Sequence, residues 1–280
     1  MSWIYAVMDK LLPFGFLKYP FMKNALIAIV LSSVVFGVIG TMAVDNKMAF
    51  FSDALGHSAM TGVALGVLLG IDNKIICLIA FGVLMALLIT RVKSSGTASP
   101  DTIISVFASM ALAFGLLILS ANRGFAAYSN YLTGDVLTID GWDIGLLAIA
   151  VAAVLIVWWL IYNKLMLVSI NPTLAASRGI SPALYENVFT VLVAVVVMLS
   201  IKWVGILLIN AMLILPAAAA RNIARTARQY HALAVGFALL SGVAGLVASW
   251  YAGTSAGAMI VVCSGGLFFV TYFARSLSGR

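Results

Sequence analysis

The chain has 280 residues, of which 64% are hydrophobic and only 9% charged, against about 25% charged in an ordinary soluble domain. With a mean hydropathy of +1.14, this composition excludes a soluble globular domain, a disordered chain and a collagen-like fibre. Sixteen Lys and Arg against nine Asp and Glu give a net charge of +7. The basic residues are dispersed between long apolar runs, so they set orientation in a bilayer and do not form a nucleic-acid surface.

Residues 1–23 mix aromatics with Lys10, Lys18 and Lys23, a pattern that predicts an interfacial segment. The first apolar run, Asn24 to Val44, is longer than the roughly 7–15 residue core of a signal peptide, so no cleaved leader is expected. A helical span needs about 20 apolar residues. The windows that qualify are 24–44, 48–71, 73–92, 101–120, 142–162, 184–201, 203–220, 231–252 and 255–274. Little more than Lys202 separates the sixth from the seventh, so one of these two is expected to be broken, tilted or re-entrant, and the count is about eight to nine. The runs are continuous and do not alternate, which selects an all-α polytopic bundle over a barrel. No polar stretch is long enough for a soluble domain, so residues 24–280 are expected to form a single transmembrane domain.

The second window contains a charge at a depth where charges are costly. It reads Phe51-Ser52-Asp53-Ala54-Leu55-Gly56-His57-Ser58, with Thr61 one turn further on. Asp53 and His57 are four residues apart and share a helix face. An ionised group at bilayer depth costs roughly 2.5–3.5 kcal/mol on insertion scales, so such residues face a bundle interior or a watery path. Imidazole nitrogen with carboxylate oxygen suits a borderline transition metal, and two donors suit a transient site better than a closed structural one. Two other readings stand beside this one: Asp53 as an interfacial N-cap, and the pair as an internal ion pair or proton relay. Ala54, Ser58, Gly62, Gly66 and Gly70 follow at spacing four, a small-residue stripe that predicts close helix packing.

The remaining acidic residues fall in loops or at span ends, and Glu186, the only Glu, follows Pro182 at the start of a helix, where the dipole favours an anion. His231 begins the eighth window beside a basic loop and reads as interfacial. Cys77 and Cys263 lie within apolar runs without zinc-site spacing and read as buried thiols. Between the fifth and sixth windows, Asn171 can cap a short helix, Pro172 suits its first position, and Gly179 can close it in the left-handed conformation. Leu174, Ala175, Ala176 and Arg178 fill its two turns, too short to stand alone, so it must pack on the chain's own loops or on a partner. With the N-terminus outside, ten basic residues lie on the cytoplasmic side and six outside, which orients the chain N-outside and C-inside. There is no GxxxxGK[ST] loop, so no means of hydrolysing ATP is recognisable.

These stretches together carry a resemblance. Phe51 to Ser58 with Gly62-Val63-Ala64, Tyr131-Leu132-Thr133-Gly134-Asp135-Val136-Leu137, Asn171-Pro172 through Ala176 with Gly179, and Gly205-Ile206-Leu207-Leu208 with Leu213 to Ala218 and Ala220-Arg221 occur in family order. From about Tyr19 onwards the chain resembles the permease subunits of bacterial ABC importers for zinc, manganese or iron. The resemblance implies a homodimer in the bacterial inner membrane, two cytoplasmic ATP-binding subunits and an extracytoplasmic metal-binding protein. It implies that Asp53 and His57 contact the transported metal, that residues 171–179 form the coupling helix, and that no cofactor is permanently bound. Two departures touch loops only: Asn46-Lys47 stands where the family often has a basic pair, and Thr133 replaces an aromatic. The function expected is ATP-driven import of a divalent transition metal by alternating access, with no enzymatic activity of the subunit itself. The alternative is an ion-coupled secondary transporter in which Asp53 and His57 relay protons. An intramembrane metalloenzyme is disfavoured, because no HExxH occurs.

Overall fold

A computed structural model describes residue 5 and residues 18–71, 73–96, 98–121 and 136–277. The expected 1–23 segment and the Tyr131 to Asp135 motif lie largely outside these residues. All regular structure among the described residues is helical. In chain order the helices are α1 (Pro20–Asp45), α2 (Phe51–Leu68), α3 (Lys74–Lys93), α4 (Pro100–Ala121), a short 3-10 turn at Val136–Thr138, α5 (Gly141–Ile170), α6 (Pro172–Ser177), α7 (Pro182–Val204), α8 (Ile206–Ile223), α9 (Ala227–Ala252) and α10 (Ala256–Leu277). Eight of them are long and apolar enough to cross a membrane. The long helix outside that group is α2, whose Asp53, His57 and small residues dilute its hydropathy.

Local chemistry accounts for the boundaries. α1, α4, α6 and α7 each open on proline, whose fixed φ and missing N–H cost nothing in a first turn. Thr226 caps α9 by accepting from the Gln229 N–H, and Gly253 ends it with φ 61°. The break between the sixth and seventh windows falls at Gly205, with φ 79° and ψ 156°, and not at Lys202, which lies inside α7. A lysine does not by itself interrupt a helix, whereas the Gly205 conformation is closed to L side chains. Pro216 sits within α8.

The chain divides into two compact units: residues 1–41, 134–152 and 203–280, and residues 42–133 and 153–202. Helices α1, α5 and α7 each run across a division point. In the first unit α8, α9 and α10 pack mutually. A Cβ on Gly40 would lie 2.0 Å from the Leu213 carbonyl oxygen, so only glycine permits that approach of α1 to α8. The Ser33 hydroxyl donates to the Ala238 carbonyl at 3.1 Å, a further tie from α1 to α9.

In the second unit α2 packs on both α3 and α4. Thirteen of its 18 residues are buried. The Thr61 hydroxyl donates to the Ala111 carbonyl of α4, and a Cβ on Gly115 would lie 2.8 Å from the Thr61 nitrogen. Toward α3, the Cβ positions of Gly62 and Gly66 lie 3.1 Å from Leu78 Cα and Cys77 Cβ. Ser58 is fully buried and its hydroxyl donates to the Leu55 carbonyl at 2.7 Å. Gly70 has no part in this packing: it lies past the end of α2 with φ 66° and nothing near its Cβ position. The Thr90 hydroxyl of α3 meets that of Thr190 of α7 at 3.1 Å, joining these two helices by a polar contact.

Candidate functional site

Asp53 and His57 are the third and seventh residues of α2. The backbone cap of this helix is Phe50, so Asp53 is not an N-cap. Its carboxylate sits inside the first turn, where the helix dipole still favours an anion. His57 Nε2 lies 3.5 Å from Asp53 Oδ2. From Phe51 to Ala64 every residue but these two is buried. The His57 and Asp53 side chains are 36% and 45% exposed, so the helix offers one open edge and places both of these side chains on it. The cause is sequence register: the small and apolar residues at 54, 55, 58, 59 and 62 are buried, and 53 and 57 fall on the edge that these leave.

Thr61, a further turn along, does not join that edge. It is 3% exposed and its hydroxyl is committed to α4. Among the described residues no group of three or more His, Cys, Asp or Glu converges on one point. One copy of the chain therefore offers two donors, a nitrogen and an oxygen, at a site open on one side. A pair of this kind can hold a passing divalent cation between exchangeable waters and does not enclose it. His231 lies in the other unit, as the fifth residue of α9, its ring tilted 41° to the neighbouring Tyr230 ring at 6.0 Å between centroids. Cys77 and Cys263 are free thiols.

The short helix α6 is built as its sequence punctuation requires. The Asn171 side chain accepts from the Leu174 N–H at 2.9 Å, and Pro172 takes the first position. Ile180 and Gly179 donate back to the carbonyls of Ala175 and Ala176, both at 3.0 Å, with Gly179 at φ 74°. Only Ala175 of this helix is buried; Pro172, Leu174, Ala176, Ser177, Arg178 and Gly179 are exposed. Leu174 is 41% exposed, and the cationic Arg178 four residues on is exposed as well.

Eight helices long and apolar enough to cross a membrane, among the described residues, define a polytopic membrane protein. The chain belongs to the ABC 3 transport family, whose model matches residues 18–275. It is thus a multi-pass protein of the inner membrane. It is 34% identical over 255 residues to the high-affinity zinc uptake system membrane protein ZnuB of Haemophilus influenzae, covering 90% of this chain and 96% of that one. It is 31% identical over 259 residues to the manganese import system permease protein ScaB of Streptococcus parasanguinis, covering 92% of each. Among solved structures it is similar to PsaBC from Streptococcus pneumoniae in complex with Fab, with a TM-score of 0.78, 29% identity and coverage of 97% and 95%.

Proposed function

We propose that this chain is the permease subunit of an ATP-driven importer that moves a divalent transition metal, zinc or manganese, into the cytoplasm. The observation that carries the reading is the open edge of α2: an otherwise buried helix leaves only Asp53 and His57 uncovered over its first 14 residues. The relatives' names point to the same cargo, one to zinc and one to manganese. Two copies of the chain, related by a two-fold axis, bring two carboxylates and two imidazoles to one path. That supplies the four donors a zinc or manganese ion can use while it sheds water. An extracytoplasmic binding protein delivers the ion to the outer mouth. Two cytoplasmic ATP-binding subunits dock on α6 and drive the alternation of access, so the energy of hydrolysis is supplied by the partners.

The ligand chemistry alone does not select the metal, because an Asp–His pair accepts several divalent ions. Growth of a deletion strain rescued by the plasmid-borne chain, with zinc, manganese and iron each withheld in turn, identifies it. Rescue is expected under zinc or manganese limitation and is lost with His57→Ala. A strain whose metal content is unchanged by deletion under all three limitations contradicts the reading.

A further inference from the structure

Little of α5 is covered: 22% of its most apolar window is buried inside the protein. Its apolar body ends in Trp158, Trp159 and Tyr162, followed by Asn163 and Lys164. Aromatics and then a cation mark the boundary between hydrocarbon and headgroups. Lys164 belongs to the basic set that orients this end of α5 toward the cytoplasm. The connection through α6 is short, so α7 returns antiparallel to α5. The two helices meet at that end, where the Lys164 ammonium lies over the Tyr185 ring at 5.5 Å from its centre.

From this contact toward the middle of the bilayer the two helices leave a groove of about 410 Å³. Ala153 and Val157 line it from α5, and Val188, Val191 and Val195 from α7. Lys164 follows Val157 by two turns on the same helix face, so its ammonium heads the groove. The polar part of the lining is a single carboxamide, Asn187, two residues beyond Tyr185. Its side chain makes no hydrogen bond among the described residues. No Asp or Glu lines the groove. Glu186 instead lines a separate small cavity with Lys93, Thr90 and Thr190. The helix length from Lys164 to Ala153, and from Tyr185 to Val195, is about 15 Å, half of the roughly 30 Å hydrocarbon core. A helix laid along that length fills on the order of 1,000 Å³, so the groove is too small to seat one from a second copy. A single hydrocarbon chain, far thinner, fits it and spans one leaflet.

We propose that the groove between α5 and α7 is a site for an anionic phospholipid of the cytoplasmic leaflet. Its phosphate sits on Lys164 above the Tyr185 ring, its ester carbonyls meet the Asn187 amide, and one acyl chain lies along the valines. Charge selects the headgroup: the groove is headed by a cation and lined by no acid, so a net negative lipid gains what a zwitterionic one, which carries its own cation, does not. The proposal does not depend on the identity of the cargo. The test is native mass spectrometry of the purified full complex, titrated with dioleoyl phosphatidylglycerol or dioleoyl phosphatidylcholine. The wild-type complex is expected to retain phosphatidylglycerol about fivefold more tightly. Lys164→Gln is expected to remove that preference and Lys164→Arg to keep it. Ala153→Phe, at an exposed position, fills the groove and is expected to lower retention of both lipids at least about threefold. Equal retention of the two lipids by wild type, or a Lys164→Gln complex that keeps the preference, overturns the site. So does an Ala153→Phe complex that retains both lipids as wild type does, or one that separates into single permease copies, which assigns the groove to a contact between copies.

Discussion

At the residue scale, the account turns on a carboxylate and an imidazole that α2 keeps uncovered. Asp53→Ala and His57→Ala are each expected to lower metal uptake at least about tenfold, equal to about 1.4 kcal/mol, while leaving the amount of protein in the membrane unchanged, as both side chains lie outside the packed interior. Uptake of radioactive metal normalised to permease abundance checks this. A pH dependence follows from the ligand chemistry. Imidazole donates to a metal only when neutral, and protons compete with the metal for it, so uptake is expected to weaken as the medium is made acidic. His57→Asn is expected to flatten that acid limb, read from uptake rates at saturating ATP. The pair itself was legible in the sequence, because a charge four residues before a histidine within an apolar run has few ordinary explanations. The role of Thr61 was not. Spacing places it a turn beyond His57, but only the contact with Ala111 shows that its hydroxyl serves the packing of α4.

At the element scale, the helices were legible from hydropathy because long apolar runs leave the backbone no other way to satisfy its hydrogen bonds in lipid. What the sequence misplaced were local backbone conformations. The break assigned to Lys202 lies at Gly205, and Gly70, counted with the packing stripe, is instead a turn residue past the helix end. Two predictions belong here. Gly115→Ala places a methyl 2.8 Å from the Thr61 nitrogen and 2.9 Å from its hydroxyl, so overpacking of about 1–3 kcal/mol is expected. It is read as a lower thermal midpoint of the purified protein than wild type. Asn171→Ala removes the side-chain cap of α6, worth about 1 kcal/mol. In the assembled transporter it is expected to lower the number of ions moved per ATP hydrolysed, with hydrolysis itself continuing.

At the scale of the whole molecule, the single transmembrane domain expected from composition divides into two compact units, each drawing on separate stretches of the chain. Such a division depends on contacts between distant segments, and hydropathy along the sequence carries no record of it. Asp53, His57 and the exposed α6 all belong to the same unit, so the proposed cargo route and the proposed docking point for the ATP-binding subunits share one packed body. The central claim is that a divalent metal moves past Asp53 and His57 at the expense of ATP. The most direct measurement is uptake of radioactive zinc and manganese into proteoliposomes holding the permease, its ATP-binding subunits and its binding protein. The account predicts uptake that requires ATP, is unaffected by collapsing a proton gradient, and falls at least about tenfold in the Asp53→Ala, His57→Ala double variant. Uptake driven by a proton gradient without ATP, or a double variant as active as wild type, contradicts it.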